Sequence, residues 1–140
     1  MFIVPGFLIT GGWPENSQKK VELYNPSSGN SCPLQDLQVK RKDHSSCAGL
    51  VCGGRGKRGS LSVQSCEKFN GTEVSPLPSL TLRQKRQWHL CWTLPGPGDN
   101  ILLLGGLSSP TTTEIVSGSS SFLTYFLPSS DSFNLPYKTM

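Results

Sequence analysis

The stretch "FLITGGWPENSQKKVELYNP", residues 7–26, decides how the chain is read. Four strand-forming residues stop on Gly11-Gly12, and after a polar loop an alternating run ends in Asn25-Pro26. Glycine takes positive φ and tolerates close backbone approach, so a glycine pair here marks a tight exit from a buried strand. The pattern recurs. Leu50-Val51-Cys52 runs into Gly53-Gly54, and Ile101 to Leu104 runs into Gly105-Gly106. Gly11, Gly53 and Gly105 lie 42 and 52 residues apart, the period of a supersecondary unit that buries its faces only against neighbours.

Laid side by side, the units share more than glycine. After each pair and its loop comes a short strand carrying a glutamate: Glu22 in Val21–Asn25, Glu67 in Cys66–Asn70 and Glu114 in Thr113–Ser117. In the first two an aromatic residue and then Asn follow, the pattern of a strand entering a turn. Ser31–Leu37, Val74–Leu80 and, more distantly, Ser132–Tyr137 close the units as outer strands, where proline is tolerated. Arg41-x-x-His44 and Arg86-x-x-His89 precede the second and third glycine pairs. Strands are expected near residues 7–10, 20–24, 48–52, 63–69, 90–94, 101–104 and 112–116, with no helical periodicity anywhere. His44 lies so close to Gly53 that the first hairpin of the middle unit needs a minimal turn or a shortened strand.

Composition agrees with strands and turns. Of 140 residues 35% are apolar and 16% charged, with 15 Gly and 11 Pro, so one domain with a modest core is expected. A net charge of +4, dispersed along the chain, falls short of a nucleic-acid tail, and no run reaches membrane-spanning length. Five cysteines suit an oxidising compartment and equally suit buried cytosolic thiols. Residues 1–10 carry neither a basic leader nor a cleavage site and read as part of the fold. Secretion would therefore make this chain a piece of a longer one; otherwise it is placed in the cytoplasm.

The apolar run into Gly-Gly, the strand ending in an aromatic, the outer strand and Arg-x-x-His together resemble the kelch repeat. "VELYNPSSGNSCPLQDL", "HSSCAGLVCGG", "SCEKFNG", "ILLLGG", "PTTTEIVSG" and "SFNLPY" are similar to a cysteine-containing subfamily of animal kelch-like proteins. The resemblance implies an all-β fold of four-stranded antiparallel blades, as in the galactose-oxidase propeller. Three units are counted, roughly 1–40, 41–82 and 83–140, the first lacking most of its inner strand. Propellers close with 4–8 blades, so an incomplete ring with open edges is expected, with further blades or oligomerisation available to cover them. The kelch tryptophan of the outer strand is missing.

The recurring residues are read as scaffold. A catalytic group is needed once, in one tuned environment, whereas Glu22, Glu67 and Glu114 recur, as do Arg41, His44, Arg86 and His89; the glutamates are expected to pair with the arginines. With both histidines so used, no copper-radical oxidase site remains, and no nucleophile elbow or phosphate-binding loop appears. No enzyme activity, cofactor or metal is expected, since the cysteines lack Cys-x-x-Cys spacing. In an extracellular chain Cys52 and Cys66, on adjacent strands, are expected to bridge, with Cys32–Cys47 as a candidate second bridge and Cys91 free; five thiols are the alternative. Asn70-Gly71-Thr72 is a glycosylation sequon on a turn. Basic clusters at 40–42, 55–58 and 83–86 are either solvated loops or a rim for an unknown protein or an anionic glycan; nucleic acid is not expected. The functional expectation is a non-enzymatic binding module acting through its loops, or alternatively a structural piece of a larger propeller.

Overall fold

A computed structural model describes residues 6–15, 18–56, 62–98, 100–107 and 110–117, and the backbone of 120–126. The described chain is all-β, without an α-helix, and its strands are β1 (Phe7–Thr10), β2 (Val21–Asn25), β3 (Asn30–Pro33), β4 (Ser45–Cys47), β5 (Leu50–Cys52), β6 (Ser65–Phe69), β7 (Val74–Thr81), β8 (Leu90–Thr93), β9 (Ile101–Leu104), β10 (Thr112–Ser117) and β11 (Ser120–Phe126). They form three antiparallel sheets ordered β1-β2-β3, β4-β5-β6-β7 and β8-β9-β10-β11. Each sheet is a run of sequential neighbours, as short loops between antiparallel strands dictate.

The registers superimpose the units residue by residue. Glu22 pairs with Ile9, Glu67 with Val51 and Glu114 with Leu103, so the three glutamates occupy one place in three sheets. Within the second unit, the strand expected over 48–52 is a hairpin instead. Ala48 and Gly49 form its turn with φ of 51° and 73°, and β4 and β5 keep three residues each. Positive φ at both turn positions is what a two-residue hairpin of right-handed twist requires. In the third unit, β11 begins at Ser120 and pairs with β10; residues 132–137, where an outer strand is expected, lie outside those described.

Two cores lie between the sheets. Leu50, Cys52, Cys66, Leu80 and Leu82 pack against Ile101, Leu103 and Val116 between the second and third sheets. A smaller cluster of Val21, Leu37 and Val74, with Leu8, Leu34 and Phe69, joins the first to the second. Side chains alternate across the central strands, so Leu8 faces the next sheet and Ile9 the opposite way. The middle strand β5 is buried throughout because it has a neighbour on each side. Cys52 and Cys66, directly opposite in the ladder with Cα atoms 4.3 Å apart, are joined. The second bridge is corrected: Cys47 of β4 joins Cys91 of β8 across the two inner strands, leaving Cys32 free and exposed. Cys32 lies on the outer strand of the first sheet, whereas Cys47 is turned towards β8.

The glycine pairs sit where two units touch. A Cβ on Gly53 would meet the Arg86 carbonyl at 2.7 Å and the His89 ring at 2.8 Å, and one on Gly54 would meet the Lys42 carbonyl and the His44 Cβ, both at 2.7 Å. Gly12 has the same left-handed backbone, φ 105°, but open space within 4 Å. Gly54→Ala is therefore expected to cost on the order of 1–3 kcal/mol more than Gly12→Ala, through overpacking at equal backbone strain. Thermal melts of the two variants check this, and equal melting temperatures would contradict it.

Candidate functional site

Each Arg-x-x-His segment stitches one sheet to the next. The Arg41 backbone stays with the first sheet, its amide donating to the Gln18 carbonyl and its carbonyl accepting from the Gly12 amide at 3.0 Å. Its side chain enters the second sheet. Nε donates to Glu67 Oε2 at 3.0 Å, Nη1 to the carbonyls of Gly53 and Ser65, both at 2.9 Å, and Nη2 to Ser65 Oγ at 2.8 Å. The other Glu67 oxygen accepts the Gln38 amide at 2.7 Å. The next unit repeats the set. Arg86 donates to Glu114, to the carbonyls of Gly105 and Thr112 and to Thr112 Oγ1, while Glu114 Oε1 accepts the Arg83 amide. Both arginines and both glutamates are buried. Burial pulls each guanidinium's pKa down and the carboxylate beside it opposes that, leaving an ion pair enclosed by the sheets. Glu22 is different. It is exposed, and no arginine reaches it among the described residues.

The histidines stand beside these pairs. His44 Nε2 lies 2.8 Å from Thr10 Oγ1, and its Nδ1 is buried without a partner among the described residues. At the equivalent of Thr10 the second unit has Cys52, and neither ring nitrogen of His89 has a hydrogen bond among the described residues. Burial, then the Arg41 charge, lowers His44 to about 4; burial, then Arg86 and His44, does the same for His89. Both rings are neutral packing groups against the glycine turns at neutral pH.

What remains for a ligand is the rim at which the glycine turns and the Arg-x-x-His segments meet. Lys42 and Arg55 form an antiparallel bridge there. The Lys42 ammonium sits 4.9 Å above the Trp13 ring and the Arg55 guanidinium 5.4 Å from the Trp88 ring. Arg55 also donates to Asp43 at 2.5 Å, and the Trp88 amide to the Asp43 carbonyl at 2.8 Å. Burial raises the Asp43 pKa, but hydrogen bonds from Trp88 and Arg55 outweigh it and keep this carboxyl below its usual range. Trp13 and Trp88 expose 74% and 58% of their surface, enough to offer ring faces to a ligand. The sequence pointed to basic loops on this rim and passed over the tryptophans. Their signal was positional, one directly after Gly12 and the other directly before His89.

The expected basic clusters are corrected at three positions: Arg41 and Arg86 point inward to Glu67 and Glu114, and Lys42 is buried against Trp13, leaving Lys40, Arg55, Arg83 and Lys85 among the described basic residues of these loops. Lys57 and Arg58 lie outside the described residues. Asn70 is exposed in the β6–β7 turn, its Oδ1 accepting the amides of Thr72 and Glu73. Among the described residues no cluster of His, Cys, Asp or Glu is built to hold a metal, and no helix is long and apolar enough to cross a membrane. No family model matches the chain, and no curated protein matches it.

Two measurements follow from the buried pairs and the histidines. Glu67→Gln leaves the Arg41 charge uncompensated in the interior and is expected to cost about 3–5 kcal/mol, whereas Glu22→Gln, exposed at the equivalent place, should stay within about 0.5 kcal/mol. Chemical denaturation reads both. The histidines bind protons more readily unfolded, near 6.5, than folded, near 4. Their contribution to stability is therefore complete above pH 6.5 and is lost as pH falls towards 4. Melting temperature should drop across that window, less steeply in His89→Gln than in the parent.

Proposed function

We propose that the chain is a non-enzymatic kelch-type binding module, an arc of three propeller blades whose rim of tryptophans and cations takes an anionic partner, protein or glycan. The three-unit repeat, the sequential strand order of each sheet and the arginines that link successive sheets support the blade reading. The observation that carries the binding function is the pair of exposed tryptophans, Trp13 and Trp88, each stacked on a cation, the mostly buried Lys42 and the half-buried Arg55, whose backbones are bridged to each other. Exposed aromatic faces beside cations suit sugar rings bearing sulfate, or an acidic peptide with apolar anchors.

A second reading, a structural piece of a larger propeller, is favoured by the apolar surface on the two outer faces of the arc. Phe7 and Ile9 are exposed on the first sheet, and Leu90 and Trp92 on the third. Asn70 in its exposed turn fits N-glycosylation should the chain pass through the secretory pathway.

Binding of a defined heparin oligosaccharide and of a poly-glutamate peptide, measured by calorimetry at two salt concentrations, tests the rim. Trp88→Ala and Arg55→Gln are each expected to weaken binding roughly three- to tenfold, while Lys68→Gln on β6 leaves it unchanged. Heparin binding alone assigns a glycan and poly-glutamate binding alone an acidic protein. Affinity indifferent to Trp88 and Arg55 would overturn the assignment.

A further inference from the structure

The first sheet repeats the arginine socket of the other two with no arginine in it among the described residues. In the filled sockets the acceptors are a glutamate, the carbonyl of the first glycine of the pair, and the carbonyl of the residue two before the glutamate. At the same register positions stand Glu22, Gly11 and Lys20, and the Gly11 amide donates to the Lys20 carbonyl as Gly53 does to Ser65 and Gly105 to Thr112. The backbone of the socket is therefore already in place.

Three further observations show which surface is bare. The Ile9 position is 51% exposed, whereas its equivalents Val51 and Leu103 are fully buried. A Cβ on Gly54 or Gly106 would strike the Arg-x-x-His segment lying over it, at Lys42 and His44 or at Gln87 and His89, but no described residue lies within 4 Å of one on Gly12. Arg55 and Leu107 take part in backbone hydrogen bonds with the residue after the arginine, and Trp13 holds that position in the first unit.

The geometry points to a docking site on the outer face of the first sheet for a segment Leu-x-x-x-Arg-x-x-His of a further kelch-like unit, its arginine entering the socket at Glu22. Both segments that fill sockets within this chain have that form, Leu37 to His44 and Leu82 to His89. Their arginine meets the glutamate side chain, the residue three before it donates its amide to the same carboxylate, and the histidine lies against the glycine turn. The site departs from the filled sockets in one respect. Lys20 replaces the hydroxyl of Ser65 and Thr112, and its ammonium is held on Asp36 at 3.0 Å. The proposal rests on the structural reading only in naming another kelch-like unit as partner; it does not depend on the aromatic rim.

The test titrates the isotope-labelled chain with a capped synthetic peptide of the sequence Leu82 to His89, followed by NMR. Saturable shifts are expected at Gly11, Gly12, Trp13 and Glu22, with an affinity in the millimolar range. Glu22→Gln, or citrulline at the Arg86 position of the peptide, should weaken binding at least about tenfold, the loss of one charge-assisted pair. Citrulline at the Arg83 position should have little effect, and Lys20→Ser should strengthen binding by restoring the hydroxyl acceptor. Glu73→Gln, in the exposed β6–β7 turn, is the control. Absence of saturation, shifts confined to other surfaces, or equal affinity in Glu22→Gln would overturn the proposal. Those results leave the larger-propeller reading to be decided separately, by the oligomeric state of the chain in sedimentation.

Discussion

The buried arginine reaching from one sheet into the glutamate of the next is the constraint on which the rest of the structure depends. Arg41 and Arg86 each satisfy a carboxylate, two backbone carbonyls and a hydroxyl. Guanidinium supplies that many donors in a fixed plane, a geometry lysine cannot reproduce. Desolvating two charges costs about as much as their attraction returns, so such a pair is weak as a source of stability and strong as a determinant of position. Only one placement of the second sheet against the first lets the Gly53 and Ser65 carbonyls and the Glu67 carboxylate meet the arginine together.

The glycine pairs follow from this arrangement. The segment carrying the arginine must pass close to the exit of the central strand, and a side chain on Gly53 would meet the Arg86 carbonyl and the His89 ring. Close approach is also why the histidines are neutral: they are wedged between a glycine turn and an arginine, where a second positive charge is disfavoured by burial and by like charge. Scaffold chemistry thus consumes most of the titratable groups that stand out in the sequence. Trp13, Arg55 and Trp88 on the rim stand outside that scaffold.

The two interfaces differ in what holds them. Between the second and third sheets an aliphatic cluster is reinforced by the Cys47–Cys91 bridge, while the first sheet joins the second through a small cluster and the Arg41 segment. The bridge ties together inner strands that share no hydrogen bonds. The chain-entropy account of such a link grows slowly with loop length, and a 44-residue separation places it above about 3 kcal/mol. The first sheet, with no such link, is the place where separation of the units would begin.

Much of this was legible in the residues because it is local and repeated. Apolar runs ending in glycine pairs located β1, β5 and β9, and the alternation around Glu22, Glu67 and Glu114 located the strands beside them, since a period of two is a property of the chain itself. Three-fold recurrence also marked Glu67 and Glu114 as scaffold. What depends on the distance between sheets was not legible. Cys47 could have faced several partners, and only the placement of β8 against β4 selects Cys91. Arg41 and Lys42 are neighbours in sequence, yet one is enclosed with Glu67 and the other lies over Trp13, because the strand-like backbone turns consecutive side chains to opposite sides. Sequence alone determined the strands, the turns and the repeat, which are set by backbone conformation over a few residues. Tertiary structure alone decided which charges are buried, which cysteines meet and which aromatic faces stay open, because those depend on contacts between units some 40 residues apart.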